Sequence, residues 1–254
     1  MYANPEGYDR FMGRWSQALA PAFVRFAGVV TGDCVLDLGC GTGSLTAPLA
    51  RLATVIGCDP LPSYIDHARR RTAGTGAAYV AGVAEALPFA DARFDSVLSL
   101  LVFQDFADRA RAVAEMRRVA KVGGTVAACQ WDFLAGMPML SALAAAYGAV
   151  VPDAVRPASA RADSETQLGE VWRAAGFADT EAATLAVSLS FAGFDDLWLP
   201  VLGAATPSTA RIAALAPDAR RAVRDRARVL LLGDQQDGPF ALEARAFAVC
   251  GRRA

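Results

Sequence analysis

The stretch VLDLGCGTGSLT, residues 35–46, constrains the fold of this chain more than any other. It opens with a short apolar run, which is typical of a buried strand in a parallel sheet. Three glycines at alternate positions follow, and glycine is required where φ turns positive or where a ligand approaches bare backbone. Thr42 or Ser44 is the expected cap of a helix that begins there. The stretch predicts a strand, a tight turn and a helix whose first N–H groups favour a polar or anionic ligand. A strand-to-helix turn without a ligand is the alternative.

A second apolar strand, starting at Thr54, ends in an acidic residue, Asp59, followed by Pro60. In dinucleotide-type folds a carboxylate at the end of the second strand accepts hydrogen bonds from ribose hydroxyls. Asp59 is therefore the first predicted functional residue. A solvated turn carboxylate before a proline is the alternative interpretation.

Composition limits the classes of function. The chain has 254 residues, is 54% hydrophobic and 20% charged, and has a net charge of −1. It can bury a large core, but it has no long-range attraction for nucleic acid or an anionic membrane. Five dispersed cysteines indicate free thiols in a reducing cytoplasm. A single histidine, His67, excludes a multi-histidine metal site. No secretory signal or membrane-spanning stretch is expected.

The two strand ends and several later blocks resemble one family. DLGCGTG and the strand ending at Asp59 are similar to the class I S-adenosylmethionine-dependent methyltransferases. EALPF at 85–89, FDSVLS at 94–99 and EMRRVAKVGG at 115–124 resemble further family blocks in the family's order. YDRFMGRWS at 8–16 resembles the lid of a small-molecule branch related to quinone-pathway C-methyltransferases. The resemblance implies S-adenosyl-L-methionine as the cofactor.

The resemblance also implies the architecture. We expect an α/β, Rossmann-like, doubly wound sheet of seven strands, mostly parallel with an antiparallel last strand, plus a helical lid or cap. Residues 1–254 are expected to form a single methyltransferase domain. Its expected parts are an N-terminal lid helix at 1–28, a cofactor-binding core at 29–132, a cap insertion and helix at 133–182, and the C-terminal part of the sheet with a helical insertion at 183–254.

The cofactor residues are predicted from this comparison and from the strand ends. Arg14 is the cation suited to the methionyl carboxylate. Val83 stands where the family usually has an acid that accepts from the adenine amino group, so either Glu85 replaces it or backbone and apolar contacts hold the base. Ligands of open α/β sheets lie outside the carboxyl ends of the strands at the switch point. The predicted cofactor-binding residues are Arg14, Asp37, Gly39, Cys40, Gly41, Asp59, Pro60, Ala84, Glu85, Leu100 and Leu101.

The methyl acceptor is predicted to be a small, largely apolar molecule, because aromatic residues and methionine are expected to line its site. The substrate-binding residues are predicted to be Tyr8, Trp15, Phe103, Gln104, Trp131, Met137 and Trp198. Relatives often have histidines near positions 104 and 105, and this chain does not. Asp105 is therefore the candidate catalytic base, with capping of the next helix as its alternative role.

Together, the sequence and the resemblance predict a cytoplasmic small-molecule methyltransferase, monomeric or homodimeric, that has no nucleic-acid partner and no stable membrane association. The alternative is a protein that binds S-adenosylmethionine or S-adenosylhomocysteine without catalysis, suggested by Val83 and by the missing histidine. A nicotinamide oxidoreductase is disfavoured because the glycines follow the spacing G-x-G-x-G, with Ser44 after them, rather than G-x-G-x-x-G. The acceptor molecule and the acceptor atom stay open.

Overall fold

The computed structural model describes residues 4–151 and 164–254. Within them, one seven-stranded sheet has the order β3-β2-β1-β4-β5-β7-β6. The strands are β1 (Cys34–Leu38), β2 (Thr54–Asp59), β3 (Ala78–Ala81), β4 (Phe94–Leu100), β5 (Ala120–Trp131), β6 (Phe177–Phe191) and β7 (Phe240–Arg253).

Helices alternate with the strands in the first half of the chain and cluster between β5 and β7. They are α1 (Pro5–Tyr8), α2 (Arg14–Phe26), α3 (Thr46–Leu49), α4 (Pro62–Arg71), α5 (Arg109–Val119), α6 (Pro138–Val150), α7 (Glu165–Ala174), α8 (Phe194–Val201), α9 (Pro207–Ala213) and α10 (Pro217–Leu232). A π-helical turn at Asp9–Gly13 joins α1 to α2, and a 3₁₀ turn at Phe103–Asp105 follows β4.

The strand pairing confirms the predicted fold class. β1 pairs in parallel with β2 on one side and with β4 on the other. β2 pairs in parallel with β3, and β4 with β5. β7 runs antiparallel to β5, with Thr125 opposite Arg252 and Trp131 opposite Ala246. The sheet is therefore Rossmann-like and mostly parallel, with the last strand antiparallel, as expected.

The chain divides into two compact units. The first comprises residues 16–132, 163–186 and 245–254 and contains β1 to β5. Its core is a layer of apolar side chains around Phe103 and Trp172. The indole Nε1–H of Trp172 donates to the carbonyl oxygen of Val126 at 2.9 Å, so this buried polar group is satisfied.

The second unit comprises residues 1–15, 133–162 and 187–244. Within it α6 packs against α10. The ring of Phe191 lies 6.2 Å from Trp15 and 5.1 Å from Phe240, measured between centroids. Aromatic side chains thus contribute to packing in this unit as well.

Several predicted boundaries are wrong near the glycine turn and in the strands. Neither Thr42 nor Ser44 caps a helix, because α3 begins only at Thr46 and Leu45 occupies its N-cap position. The chain turns through residues 39–45 first, since successive glycines there take left-handed φ values. Strand β6 begins at Phe177, whereas strand signals were expected to resume only near position 183.

The apolar stripe within the N-terminal segment predicts a helix over 9–28, and the structure differs from that prediction at its start. The helical segment begins at Pro5, and Pro21 lies inside α2 without ending it. The spacing of Ser164 and Gln167 in the sequence predicts a capping box at the start of α7, and the structure confirms it, with Ser164 accepting from the Gln167 N–H. Asp163, which the sequence offers as an alternative start of this helix, and residues 152–162 of the predicted cap insertion and helix at 133–182 lie outside the described residues. Helix α9 was not predicted.

The cysteines are free thiols, as expected, with Cys40, Cys58 and Cys129 buried. Within the described residues, no cluster of three or more histidine, cysteine, aspartate or glutamate side chains is placed to hold a metal ion. No helix in the described part of the chain is both long and apolar enough to cross a bilayer.

Candidate functional site

The candidate site lies in the first unit, at the carboxyl ends of β1, β2 and β4. β1 has β2 on one side and β4 on the other, and the chain order reverses there. The crevice outside such a switch point is where open α/β sheets bind ligands. Asp37, Asp59 and Leu100 stand at or near these three strand ends.

The glycines of the turn differ in their surroundings: Gly39 is closely packed, whereas Gly41 borders open space. Gly39, Gly41 and Gly43 all have positive φ, at 72°, 52° and 85°. A Cβ on Gly39 would lie 2.3 Å from Cγ1 of Val102, so this position requires glycine for packing. A Cβ on Gly41 would meet no atom nearer than 3.9 Å. The backbone at Gly41 therefore borders a space that a ligand can fill.

Asp59 is held in place by the backbone. Its Oδ2 accepts from the Gly41 N–H at 3.0 Å, and its Oδ1 accepts from the Leu61 N–H at 2.9 Å. The side chain is only 6% exposed, and burial raises the pKa of the carboxyl while the two N–H donors oppose the rise. A carboxylate has about four acceptor positions. The two that remain can accept from the hydroxyls of a ribose.

Asp37, at the end of β1, is buried beside the glycine turn. It is 1% exposed, and its Oδ2 accepts from the Thr46 hydroxyl at 2.5 Å. Its Oδ1 has no hydrogen-bond partner within the described ranges. Burial first, and the neighbouring charge of Asp59 next, raise the pKa of Asp37 to about 7. The site thus contains one carboxylate with an unsatisfied oxygen.

Cys40 and Cys58 form the apolar part of this wall. A Cβ on Gly57 would lie 2.9 Å from Sγ of Cys40, so the thiol fills the space above β2. Burial raises the pKa of Cys58 to about 12 and raises that of Cys40 well above its ordinary value. Both groups stay thiols at neutral pH, which makes them packing groups rather than nucleophiles.

A loop over residues 82–91, which we call the 82–91 loop, follows β3. Val83 is 46% exposed and Ala84 is 5% exposed. Glu85 turns toward α5, where its Oε1 accepts from the Asp108 N–H at 3.2 Å and its carbonyl accepts from Nε of Arg111 at 2.8 Å. Among the described residues, Glu85 thus has partners on α5 and at its N-cap.

The end of β4 contains a strained turn. Leu101 has φ of 62°, a conformation that costs a leucine free energy. Its N–H donates to the carbonyl of Cys129 at 2.7 Å, and its own carbonyl accepts from Nε2 of Gln104 at 2.7 Å. Leu100 and Leu101 are each 8% exposed. Strained residues of this kind often occur at binding sites.

Asp105 follows this turn and accepts from Nε2 of Gln104 at 3.3 Å. Although Asp105 is exposed by its accessible surface, the surrounding protein partly desolvates its carboxyl and raises the pKa, which the hydrogen bond from Gln104 partly opposes. Its alternative role as the N-cap of the next helix is wrong, since Asp108 caps α5 by accepting from the Arg111 N–H at 3.0 Å. Asp105 stays a candidate base.

The predicted aromatic residues of the first unit are buried. Phe103 is 0% exposed, and its ring centroid lies 5.3 Å from that of Trp172, with the Arg109 guanidinium 4.3 Å from its centroid. Trp131 is 4% exposed at the end of β5. Their contacts are those of core side chains, and their predicted role in substrate binding stays a prediction.

The other predicted residues lie in the second unit: Tyr8, Arg14, Trp15, Met137 and Trp198. The Arg14 guanidinium pairs with Oδ1 of Asp196 at 2.9 Å and lies 4.8 Å from the centroid of Phe191. Trp198 stacks on Phe194 with centroids 6.5 Å apart. Trp15 and Met137 are each 1% exposed. Their predicted roles in binding cofactor or acceptor stay predictions.

Two contacts at the strand ends were missed from the sequence. The Thr46 hydroxyl bonds Asp37, and the Leu61 N–H bonds Asp59. A threonine nine residues after the acid has no recognisable spacing, because the intervening turn is irregular. A backbone donor two residues after an aspartate is the pattern of an Asx turn, and that signal was available.

Comparisons with known proteins identify the family of this chain. A family model described as a methyltransferase domain matches residues 36–128. A demethylmenaquinone methyltransferase of Thermobifida fusca is 34% identical over 168 residues, which are 65% of this chain and 68% of that relative. An uncharacterised protein of Mycobacterium tuberculosis is 37% identical over 116 residues, which are 44% of this chain. The chain spans only 42% of the length of this mycobacterial relative.

Among solved structures, a phosphoethanolamine N-methyltransferase of Haemonchus contortus in complex with phosphomonomethylethanolamine and S-adenosylhomocysteine has a similar fold. The TM-score is 0.61 with 17% identity, and the match covers 98% of this chain and 57% of the other. At this identity the likeness concerns the fold alone.

Proposed function

Since this chain belongs to the class I S-adenosylmethionine-dependent methyltransferases, we propose that it transfers a methyl group from S-adenosylmethionine to a small, largely apolar molecule. The observation that carries the proposal is the pairing of a bare glycine turn with a backbone-held acid. Gly41 offers open space beside its backbone, and Asp59 has acceptor positions left for two ribose hydroxyls.

The residues present fit an adenosyl cofactor. The space over Gly41 is a cradle that a side chain would fill. Asp37 has a buried oxygen without a partner in the described structure, and an acidic site suits a ligand with a sulfonium and an ammonium group. On the proposed assignment, Asp59 holds the ribose, the turn at 39–41 faces the methionyl part, and Ala84 with Leu101 borders the base.

The main contribution of the protein to the proposed reaction is to position the acceptor and the cofactor relative to each other. When bound, the cofactor supplies a methyl group that the acceptor's nucleophilic atom takes while the carbon–sulfur bond pair returns to sulfur, leaving S-adenosylhomocysteine. The chain's task is to align the acceptor and exclude water. Where the acceptor atom carries a proton, Asp105 is proposed to remove it, because a raised pKa brings a carboxyl closer to a useful base strength.

The test of the cofactor assignment is Asp59→Ala, with S-adenosylhomocysteine binding measured by titration calorimetry. A hydrogen bond to a charged acceptor contributes about 1.5–3 kcal/mol, so affinity should fall roughly 10- to 150-fold. Asp66→Ala, at an exposed position on α4, is the matched control and should bind as the wild type does. Unchanged binding in Asp59→Ala would refute the assignment.

A second candidate is a cofactor-binding protein without catalysis. It is favoured by the 82–91 loop, where Val83 offers no side-chain acceptor and Glu85 is turned toward α5. Turnover on a panel of phenols and quinones separates the two candidates. Tight binding of S-adenosylhomocysteine with no methylated product on any acceptor would favour the second.

The partner, the cellular location and the oligomeric state of the protein are also proposals. We propose a small-molecule acceptor as the partner, a cytoplasmic location, and a monomer or homodimer. Mass spectrometry of small molecules that co-purify with the protein would test the cofactor and the acceptor together.

A further inference from the structure

Helix α5 has a polar stripe that faces the 82–91 loop. Its members are Asp108 at the N-cap and Arg111, Glu115 and Arg118 within the helix. They are separated by three, four and three residues, which places them on one face of a helix. Each of the four makes a hydrogen bond to a side chain or a backbone group of the loop.

Arg118 is the centre of this stripe. Its guanidinium donates to both carboxylate oxygens of Glu115, at 2.7 and 2.8 Å. It also donates to the carbonyls of Leu87 and Phe89, at 3.1 and 2.8 Å, and to Oδ1 of Asp91 at 2.7 Å. A planar guanidinium with five N–H donors can hold several acceptors at fixed angles, which a lysine cannot.

Glu115 completes the contact from the other side. Its Oε2 accepts from the Leu87 N–H at 2.8 Å, so the pair grips both the N–H and the carbonyl of one loop residue. The bond from Arg118 holds the pKa of Glu115 below its ordinary value, which keeps the carboxylate charged near neutral pH. Arg118 and Glu115 thus hold Leu87 and Phe89 through backbone groups, independently of the side chains at these two positions.

Backbone fixation matters here because the loop lacks the usual side-chain acceptor for the base. The exposed side chain of Val83 contains no hydrogen-bond acceptor, and Glu85 is engaged with α5 and its N-cap. Base recognition then depends on where the loop backbone lies, including the N–H of Ala84. That position is set by the stripe on α5.

We propose that Arg118, acting with Glu115, is a positioning residue that sets cofactor affinity through the 82–91 loop without touching the cofactor. This inference rests on the proposed function. It predicts that the adenine end of the ligand, and not the methionyl end, senses changes at Arg118.

The experiment compares Arg118→Met with Arg117→Met, two identical substitutions at adjacent positions of α5. In the described structure Arg117 makes no hydrogen bond to the loop, and its Nε has no partner. Titration calorimetry with S-adenosylhomocysteine and with adenosine is done well below the melting temperature of each variant. Arg118→Met should lose affinity for both ligands by the same factor, about tenfold, since small misplacements of binding groups have effects of this order. Arg117→Met should match the wild type.

A purely structural role would leave both affinities within twofold while the melting temperature falls, and that result would overturn the inference. A loss confined to S-adenosylhomocysteine, with adenosine unaffected, would overturn it too. If Arg118→Met does not fold, Glu115→Gln and Arg118→Lys replace it, with smaller losses expected for both ligands. Wild-type protein that binds neither ligand would instead refute the proposed function.

Discussion

At the residue scale, Asp37 lowers the stability of the folded protein at neutral and higher pH, and it lies in the proposed cofactor site. Burial makes this carboxylate costly to ionise, and hydrogen bonding from Thr46 offsets only part of that cost, so its pKa rises to about 7. The unfolded chain has the ordinary value of 3.8. Between these values the unfolded state is ionised and the folded state is protonated. This group therefore favours folding at low pH, and its contribution is lost as pH rises from about 4 to about 7.

Asp37→Asn should therefore stabilise the cofactor-free protein at high pH. Each pKa unit corresponds to about 1.4 kcal/mol, so the full cost of ionising Asp37 is on the order of 4 kcal/mol. Asparagine resembles the protonated acid and escapes that cost. The difference in unfolding free energy between variant and wild type should be about 2 kcal/mol more favourable at pH 8.5 than at pH 5.5. Urea unfolding at the two pH values measures it.

Asp234→Asn, at an exposed position, is the control and should show no such pH-dependent difference. An Asp37→Asn advantage that is the same at both pH values would contradict the assigned pKa. The same variant should bind S-adenosylhomocysteine more weakly, because it replaces the unsatisfied carboxylate oxygen that the site offers. A gain in stability with a loss of binding is the pattern expected of a functional residue.

At the element scale, the glycine pair before the buried part of β5 has a different role from the predicted one. Glycines after a helical pattern usually mark its end, so the sequence predicts a helix over 108–120 that Gly123 and Gly124 stop, but the helix already ends at Val119 and the strand begins at Ala120. The register between β4 and β5 shifts here, from Phe94 to Ser96 on β4. Two steps along β4 correspond there to five along β5, so β5 has three extra residues, and Gly123 and Gly124 lie in this irregular stretch.

Gly124→Ala should destabilise the protein more than Gly123→Ala. A Cβ on Gly124 would lie 2.8 Å from the Lys121 carbonyl and 2.9 Å from the Asp95 carbonyl, both of them backbone atoms. A Cβ on Gly123 meets nothing within 4 Å, but its φ of 74° disfavours alanine. We expect losses of about 1–3 kcal/mol at Gly124 from overpacking and about 1 kcal/mol at Gly123 from backbone strain. Chemical unfolding of the two variants, side by side, measures the order; the reverse order would contradict the packing.

Elements that a side-chain pattern determines were predicted from the sequence, whereas features that tertiary packing determines were not. The apolar runs of β1, β2 and β4 were found from sequence because buried parallel strands have continuous apolar side chains. The start of α3 was missed because the glycine turn allows many backbone paths, and the contact between Gly39 and Val102 that selects one is not visible in sequence. The polar stripe on α5 was missed because its partners are backbone groups of a distant loop.

At the scale of the whole molecule, the sheet order follows from rules that apply to any such chain, while the site depends on details. The rules on right-handed crossovers and buried parallel strands leave few topologies, but the seven-stranded sheet itself was predicted through the family resemblance. Asp59 was predictable because the carboxyl end of β2 faces the switch point in that topology. The partner of Arg14 was not, because Asp196 lies 182 residues later in the chain.

Ligand binding should stabilise the whole folded molecule, which gives the last prediction. A ligand that binds only the folded state at 100 times its dissociation constant adds about 2.7 kcal/mol. For a chain of this size, 1 kcal/mol moves the melting temperature by roughly 2–4 °C. S-adenosylhomocysteine should therefore raise the melting temperature by roughly 5–10 °C, as differential scanning fluorimetry would record. At the same concentration the shift should be much smaller in Asp59→Ala, because its affinity is lower. NAD should give no shift, since the G-x-G-x-G turn does not match the dinucleotide spacing; a comparable shift with NAD would contradict the choice of cofactor.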